Sequence, residues 1–149
     1  MKNVLKLSLI AIVLSAPFAA CKKYPDGPSI SIISRKERMA NTWYVSNYYE
    51  NGVDKTADFK NALQNARLII DKSGSYSLYY KYYGVLDYNE NGTWAFTNDD
   101  KDYNTYPTSS TGGVAANSIH HILKLKESEL WYKDDTDGSG IVKEYHLKP

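Results

Sequence analysis

Cysteine, histidine and an excess of charge are all scarce in this sequence, and each shortage excludes a class of protein. The one cysteine, Cys21, cannot form a disulfide within the chain. Of the three histidines, His120 and His121 are neighbours that would point to opposite faces of a strand, so no set has the spacing of a metal site. Because 18 basic residues balance 17 acidic ones, the chain lacks the basic face that nucleic acid requires. We therefore expect no metal, no cofactor and no nucleic-acid partner.

The signatures of catalysis are missing as well. The sequence contains neither a Gly-rich phosphate loop nor the Gly-x-Ser-x-Gly elbow of a serine hydrolase. Residues 133–144 place acidic side chains somewhat as a calcium loop does, but Lys133 takes the first ligand position and β-like segments flank the loop. We interpret this segment as an acidic turn, and we expect the protein not to be an enzyme.

The longest apolar run stands at the start of the chain and is shorter than the roughly 20 residues of a transmembrane helix. Lys2 and Lys6 precede an apolar stretch over residues 7–14, and small residues follow up to Cys21. This order predicts a signal peptide over residues 1–20. The end of the segment, Ala-Ala-Cys, resembles the lipobox of bacterial lipoproteins, which implies that Cys21 is acylated and anchors the chain to a membrane. The alternative is an ordinary secretory peptide that is cut nearby and leaves a free thiol.

Removal of residues 1–20 takes two lysines away, so 16 basic residues face 17 acidic ones and the net charge becomes −1. Residues 21–34 then form a predicted tether, because Pro25 and Pro28 break regular structure. Lys22 and Lys23 either lie near anionic head groups or keep the linker soluble. Residues 35–149 are long enough for a single domain with one core, and we expect a monomer.

A short helix and a tryptophan open this domain. Ser34 can cap a helix over residues 35–39, and Asn41 can adopt the left-handed turn that ends it. Trp43 then begins a β-rich run. We expect the helix to cover one end of a sheet that curls round Trp43, with Arg35 and Arg38 placed to lie over the indole. Trp43 and Arg38 are therefore assigned structural roles. The other interpretation is an ordinary helix–strand joint with solvated arginines.

Turn signals recur between the β-rich runs that follow. They stand at residues 51–52, 71–74, 89–92, 98–102, 127–128 and 134–140. Short strands at this spacing predict an all-β fold, an antiparallel up-and-down barrel of roughly eight strands with no open edge. Two segments break the pattern. Residues 57–66 have the spacing of a small amphipathic helix that could cover the open end as a lid, and residues 106–117 form a loop rich in small residues.

Alternation along the strands predicts which side chains face inward. It turns Tyr76, Tyr80 and Tyr82 to one side of their strand, and it places Trp94 and His121 inward on two others. An interior rich in tyrosine is unusual for packing alone, because each buried hydroxyl needs a partner. We assign these five residues to a ligand-binding cavity. Aromatic packing without a ligand is the other interpretation.

The lipobox, the tether CKKYPDGP, the motifs NTW, NGTWAF and HHILKLKESELWY, and the closing EYHLKP follow one another along the chain. Together they resemble the lipocalin-like lipoproteins of Bacteroidota, with Asn41-Thr42-Trp43 standing where lipocalins have Gly-x-Trp. The resemblance implies a lipocalin-like barrel and, from Lys22 after the cysteine, attachment to the outer membrane. It carries over no catalytic residue.

Two functions from different classes fit these features. The first is a membrane-anchored lipoprotein that binds a small, partly apolar molecule in the barrel. The second is a module of the cell envelope that contacts a glycan or a partner protein through outer aromatic residues such as Tyr79, Tyr83 and Trp131. An open cavity lined with tyrosine favours the first function, and an interior filled by side chains favours the second.

Overall fold

The computed structural model describes Tyr24 and residues 32–113, 115–135 and 137–149. The predicted signal peptide, Cys21 and most of the predicted tether lie outside the described residues. The described chain forms the helices α1 (Arg35–Met39) and α2 (Thr56–Ala62). Its strands are β1 (Asn41–Glu50), β2 (Val53–Asp54), β3 (Leu63–Ile70), β4 (Ser75–Tyr82), β5 (Leu86–Thr97), β6 (Asp102–Ser110), β7 (Ser118–Leu125), β8 (Leu130–Asp134) and β9 (Lys143–Lys148).

The strands close into an antiparallel barrel. From β3 to β9 each strand pairs with the next one in the chain, and β1 pairs with β3 on one side and with β9 on the other. Eight strands therefore form the wall, since β2 adds only a two-residue ladder at the end of β1. This confirms the predicted all-β, up-and-down barrel. No helix in the described part of the chain is long and apolar enough to cross a membrane.

Helix α1 covers one end of the barrel, as predicted for residues 35–39. Its start is a capping box: the Ser34 hydroxyl accepts from the Glu37 backbone N–H, and the Glu37 carboxylate accepts from the Ser34 backbone N–H. The left-handed turn predicted at Asn41 is wrong, because Ala40 leaves the helix in an extended conformation with φ −72° and ψ 103°.

Trp43 and Arg38 join this helix to the barrel wall. Trp43 is fully buried, and its Nε1 donates to the Met39 carbonyl at 2.9 Å. Arg38 is also buried, and its Nη1 donates to the Leu125 carbonyl at 3.1 Å. The guanidinium thus bonds to backbone, and the cation–π contacts seen among the described residues lie elsewhere. Tyr24 of the tether is buried in the same core cluster, so this end of the barrel is closed.

Several element boundaries differ from the predictions, three of them by more than one residue. The helix predicted over residues 57–66 ends at Ala62, because Leu63 already pairs with β4. The turn predicted at residues 89–92 lies inside β5, which is paired on both sides. Residues 106–110, predicted as loop, belong to β6, so the β6–β7 connection is shorter than expected. In each case pairing with a neighbouring strand overrides local preference.

Replacing Trp43 by alanine should lower the free energy of unfolding by about 3–5 kcal/mol, because it removes a fully buried indole and its hydrogen bond to the Met39 carbonyl. Urea unfolding followed by circular dichroism measures this change. Tyr83→Ala is the control, since Tyr83 is 55% exposed and its loss should change stability by about 0.5 kcal/mol or less. Equal effects of the two variants would show that the closed end does not hold the barrel together.

Candidate functional site

A cavity of about 300 Å³ lies inside the barrel. Trp43 and Leu147 line it toward the closed end, and Phe59 of α2 lines it near the other end together with Ala115 and Ala116 of the β6–β7 connection. Helix α2 therefore lies where the sequence predicts a lid. The described lining is mostly aromatic and aliphatic, with a few polar groups: Trp43, Val45, Phe59, Leu63, Ala66, Arg67, Leu68, Tyr76, Leu78, Tyr80, Glu90, Tyr103, Thr105, Ala115, Ala116, Ser118, His120, Tyr132, Asp134, Tyr145 and Leu147.

The tyrosines of β4 reach the cavity because side chains alternate along a strand. Tyr76, Leu78 and Tyr80 line the cavity, on the face that the sequence predicts. Tyr82 has the same parity but lies beyond the lining. Its side chain is half exposed, and its ring packs edge-on against Tyr83 with the ring centroids 4.7 Å apart.

Glu90 on β5 is a buried carboxylate that the sequence analysis missed. It is 8% exposed, and its oxygens accept hydrogen bonds from the hydroxyls of Tyr76 at 2.6 Å and Tyr88 at 2.7 Å. Burial, followed by the hydrogen bond to Glu90, raises the pKa of Tyr76 and raises the pKa of Tyr88 to about 12. Both phenols therefore remain donors near neutral pH. Glu90 was missed because it falls in the stretch predicted as a turn, where strand alternation was not applied.

Gly92 makes room for this arrangement. A Cβ at this position would lie 2.2 Å from the Tyr106 carbonyl oxygen and 2.8 Å from Cε1 of Tyr76. The register between β5 and β6 also shifts between Asn91 and Gly92. Glycine is therefore needed here so that the Tyr76 ring can lie against β5 and reach Glu90.

His120, and not His121, faces the cavity. Its Nδ1 lies 2.5 Å from Oδ1 of Asp134, and its Nε2 lies 3.2 Å from Oγ1 of Thr105. The inward orientation predicted for His121 is wrong, because the β7–β8 register shifts between Ile122 and Lys124. Counted back from Leu125, regular alternation would turn the odd-numbered residues of β7 inward. On the N-terminal side of the shift the even-numbered residues face inward instead, so the inward histidine is His120.

The two groups form a polar belt on the cavity wall. Glu90 joins two tyrosines in the first group, and His120 joins Thr105 to Asp134 in the second. A side-chain hydrogen bond with Thr105 lowers the pKa of Tyr76, against the larger effects of burial and Glu90, so the two groups are neighbours on the wall. The polar belt is thus Glu90, Tyr76, Thr105, His120 and Asp134, which line the cavity, together with Tyr88, which supports Glu90 without lining it.

Aromatic rings pack against the His120 side of the polar belt. Tyr103 stacks on His120 with the ring centroids 4.4 Å apart, and it meets Tyr132 edge-on at 5.5 Å. Tyr132 in turn stacks on Tyr145 at 4.8 Å. Burial raises the pKa values of Tyr103, Tyr132 and Tyr145 well above the ordinary value of a tyrosine. This wall therefore presents neutral rings and hydroxyls, with no charge of its own.

The described lining of the cavity contains two carboxylates and no lysine. Among the described lining residues Arg67 is the one arginine or lysine, and its guanidinium carbon lies 4.2 Å from the centroid of the Tyr79 ring. Tyr79 points outward, since its neighbours along β4 face the cavity. The guanidinium of Arg67 is therefore outside the barrel, and the lining keeps two carboxylates, Glu90 and Asp134.

Trp94 supports the cavity without lining it. It is 5% exposed, its Nε1 donates to the Asp71 carbonyl at 2.9 Å, and its ring meets Phe96 edge-on at 5.2 Å. Of the five residues predicted to bind a ligand, the structure brings Tyr76 and Tyr80 together in the cavity. Tyr82, Trp94 and His121 lie elsewhere.

The polar groups of the site do not form a metal centre. Across the described ranges, no group of three or more His, Cys, Asp or Glu side chains is arranged to hold a metal ion. In the predicted acidic turn, Asp137 accepts from Lys143 and from the Ser139 backbone N–H. The cavity instead offers carboxylates, hydroxyls and an imidazole, which suit a ligand that forms hydrogen bonds.

The pKa of His121 should lie above that of an ordinary histidine. Its Nδ1 lies 2.8 Å from Oδ1 of the buried Asp102, and this hydrogen bond raises the pKa most, with a smaller contribution from Asp135. The contact stabilises the fold fully below the unfolded value of about 6.5, and its contribution is lost as the pH rises through the folded pKa. NMR titration of the imidazole should show a larger decrease in pKa for Asp102→Asn than for Asp135→Asn. The reverse order would contradict this assignment.

Comparison with protein-family models and with curated proteins finds no match to this chain. The similarity to lipocalin-like lipoproteins stays a prediction that rests on motifs.

Proposed function

We propose that the protein binds a small, partly apolar molecule inside the barrel. The observation that supports this most directly is the cavity of about 300 Å³. Protein interiors are close-packed and contain few voids larger than a water molecule, so a space of this size is unusual for a structural core. Ligand sites are concave and largely apolar with a few placed polar groups. The polar belt has that composition together with the aromatic wall, which is formed by Tyr103, Tyr132 and Tyr145.

The two ends of the barrel differ in a way that suits ligand exchange. Helix α1 buries Arg38 and Met39 at the closed end, whereas α2 has no buried residue. An element with little buried surface opens at low free-energy cost. A molecule would therefore enter past α2 and the β6–β7 connection, while the closed end keeps its shape.

The outer aromatic residues give less support to the alternative, a surface that contacts a glycan or a protein. The ring of Trp131 lies parallel to that of His146 with centroids 3.9 Å apart, and Nζ of Lys124 lies 3.8 Å from the same ring centroid. The imidazole and the ammonium group cannot both lie this close to the same face of the indole. They therefore cover opposite faces of it. A guanidinium lies over Tyr79. Of the three outer residues proposed from sequence, Tyr83 alone is more than half exposed.

Filling the cavity should abolish binding. Leu68 lines the cavity, and the next residue, Ile69, points outward and is 40% exposed. Leu68→Trp should therefore displace the ligand, and Ile69→Trp on the same strand is the matched control. Native mass spectrometry of the protein purified from its own host should show an extra mass that leaves on denaturation. We expect wild type and Ile69→Trp to carry this mass and Leu68→Trp to lose it.

Two results would contradict the proposed function. The first is that wild-type protein extracted under gentle conditions carries no extra mass. The second is that Leu68→Trp keeps the mass while circular dichroism shows an intact fold. In the second case the molecule would bind outside the cavity.

We further propose that lipid on Cys21 anchors the protein to the outer membrane. Tyr24 is buried at the closed end, and three residues span at most about 10 Å, so the anchor would hold the closed end near the membrane. The entrance past α2 would then face away from it. Cells fed labelled palmitate should incorporate label into the wild-type chain and not into Cys21→Ser, which should appear in the soluble fraction. Labelling of Cys21→Ser would refute the anchor at this residue.

A further inference from the structure

We propose that the molecule held in the cavity is a small organic cation, an ammonium group joined to a flat apolar part, and that Glu90 receives the ammonium group. This inference rests on the proposed function and names the chemical class of its ligand.

The charge of the lining is the first argument. Asp134 has His120 as a hydrogen-bond partner, whereas the partners of Glu90 are two phenol hydroxyls, which are neutral donors. No salt bridge to Glu90 is found within the described ranges, although it is 8% exposed. A buried carboxylate without a positive partner is costly. A cation in the cavity would supply that partner.

The geometry of the carboxylate is the second argument. Each oxygen of Glu90 accepts one hydroxyl, which leaves a further lone pair on each oxygen for another donor. The raised pKa values of Tyr76 and Tyr88 keep these phenols as donors, so they hold the carboxylate in place without neutralising it. Glu90 is thus fixed and still able to accept from an ammonium group.

Aromatic rings beside Glu90 are the third argument. Tyr80 and Tyr88 stack with their ring centroids 4.6 Å apart, and Tyr80 lines the cavity. The face of an aromatic ring attracts a cation. Leu68 and Leu78 offer apolar surface to the rest of the molecule. A volume of about 300 Å³ is at the small end of ligand pockets, so the ligand has one or two rings. Two carboxylates in the lining disfavour an acid.

Three probes of one shape test the charge preference. The full chain in a mild detergent is titrated by calorimetry at pH 7 with 2-phenylethylamine, 2-phenylethanol and phenylacetate. We expect the amine to bind at least about tenfold more tightly than the alcohol, since hydrogen bonds between charged groups are the stronger ones, and we expect phenylacetate to bind most weakly.

Two variants test the assignment to Glu90. Glu90→Gln should weaken binding of the amine by about tenfold or more and change binding of the alcohol less than about threefold. Asp87→Asn is the matched control. Asp87 also accepts a tyrosine hydroxyl, from Tyr79 at 2.8 Å, but it lies on the outer surface, so its loss should leave both affinities unchanged. Thermal unfolding verifies that each variant is folded.

The outcomes separate this inference from the proposed function. Equal affinities for amine and alcohol, or amine binding that Glu90→Gln leaves intact, would overturn the cation while the cavity remains a binding site. Failure of all three probes to bind would also overturn it. If no probe bound and the protein purified from its host also carried no extra mass, the proposed function would be overturned together with this inference.

Discussion

The pairing of β1 with β9 is the interaction on which the rest of the structure depends. Hydrogen bonds run along this seam from the pair Tyr44 and Lys148 to the pair Glu50 and Lys143. Closure removes the open edges of the sheet, and it also encloses an interior. Polar side chains that face inward must then find partners on the wall. The polar belt exists because Glu90 and His120 are enclosed in this way.

Register shifts decide which residues are enclosed. The shift in β7 turns His120 inward, and the shift beside Gly92 accompanies the contact between Tyr76 and Glu90. Further shifts occur in β1 and β3. A regular strand would carry the same inward parity along its whole length. In this barrel the shift in β7 places His120 beside two carboxylates and several tyrosines that regular alternation turns inward, and this mixture gives the cavity its chemistry.

One register shift and two strand segments that were predicted as turns explain how far the sequence could predict the site. Turn spacing and alternation were enough to predict the closed barrel and the inward orientation of Tyr76 and Tyr80, and the capping signal was enough to predict helix α1. These features depend on local sequence pattern. His121 was placed wrongly because a register shift is set by the neighbouring strand, which a single strand's pattern does not reveal. Glu90 was missed because its segment was predicted as a turn, so strand alternation was not applied there. Asp134 was taken for part of a turn, although β8 extends to include it.

The most direct test of a binding cavity is a crystal structure of the protein purified from its own host. We expect electron density for a bound molecule between the polar belt and the aromatic wall, with a nitrogen about 3 Å from an oxygen of Glu90. Ordered water alone in the cavity, or a cavity closed by inward movement of Tyr80 and Phe59, would contradict it. The tyrosines would then be a packed core.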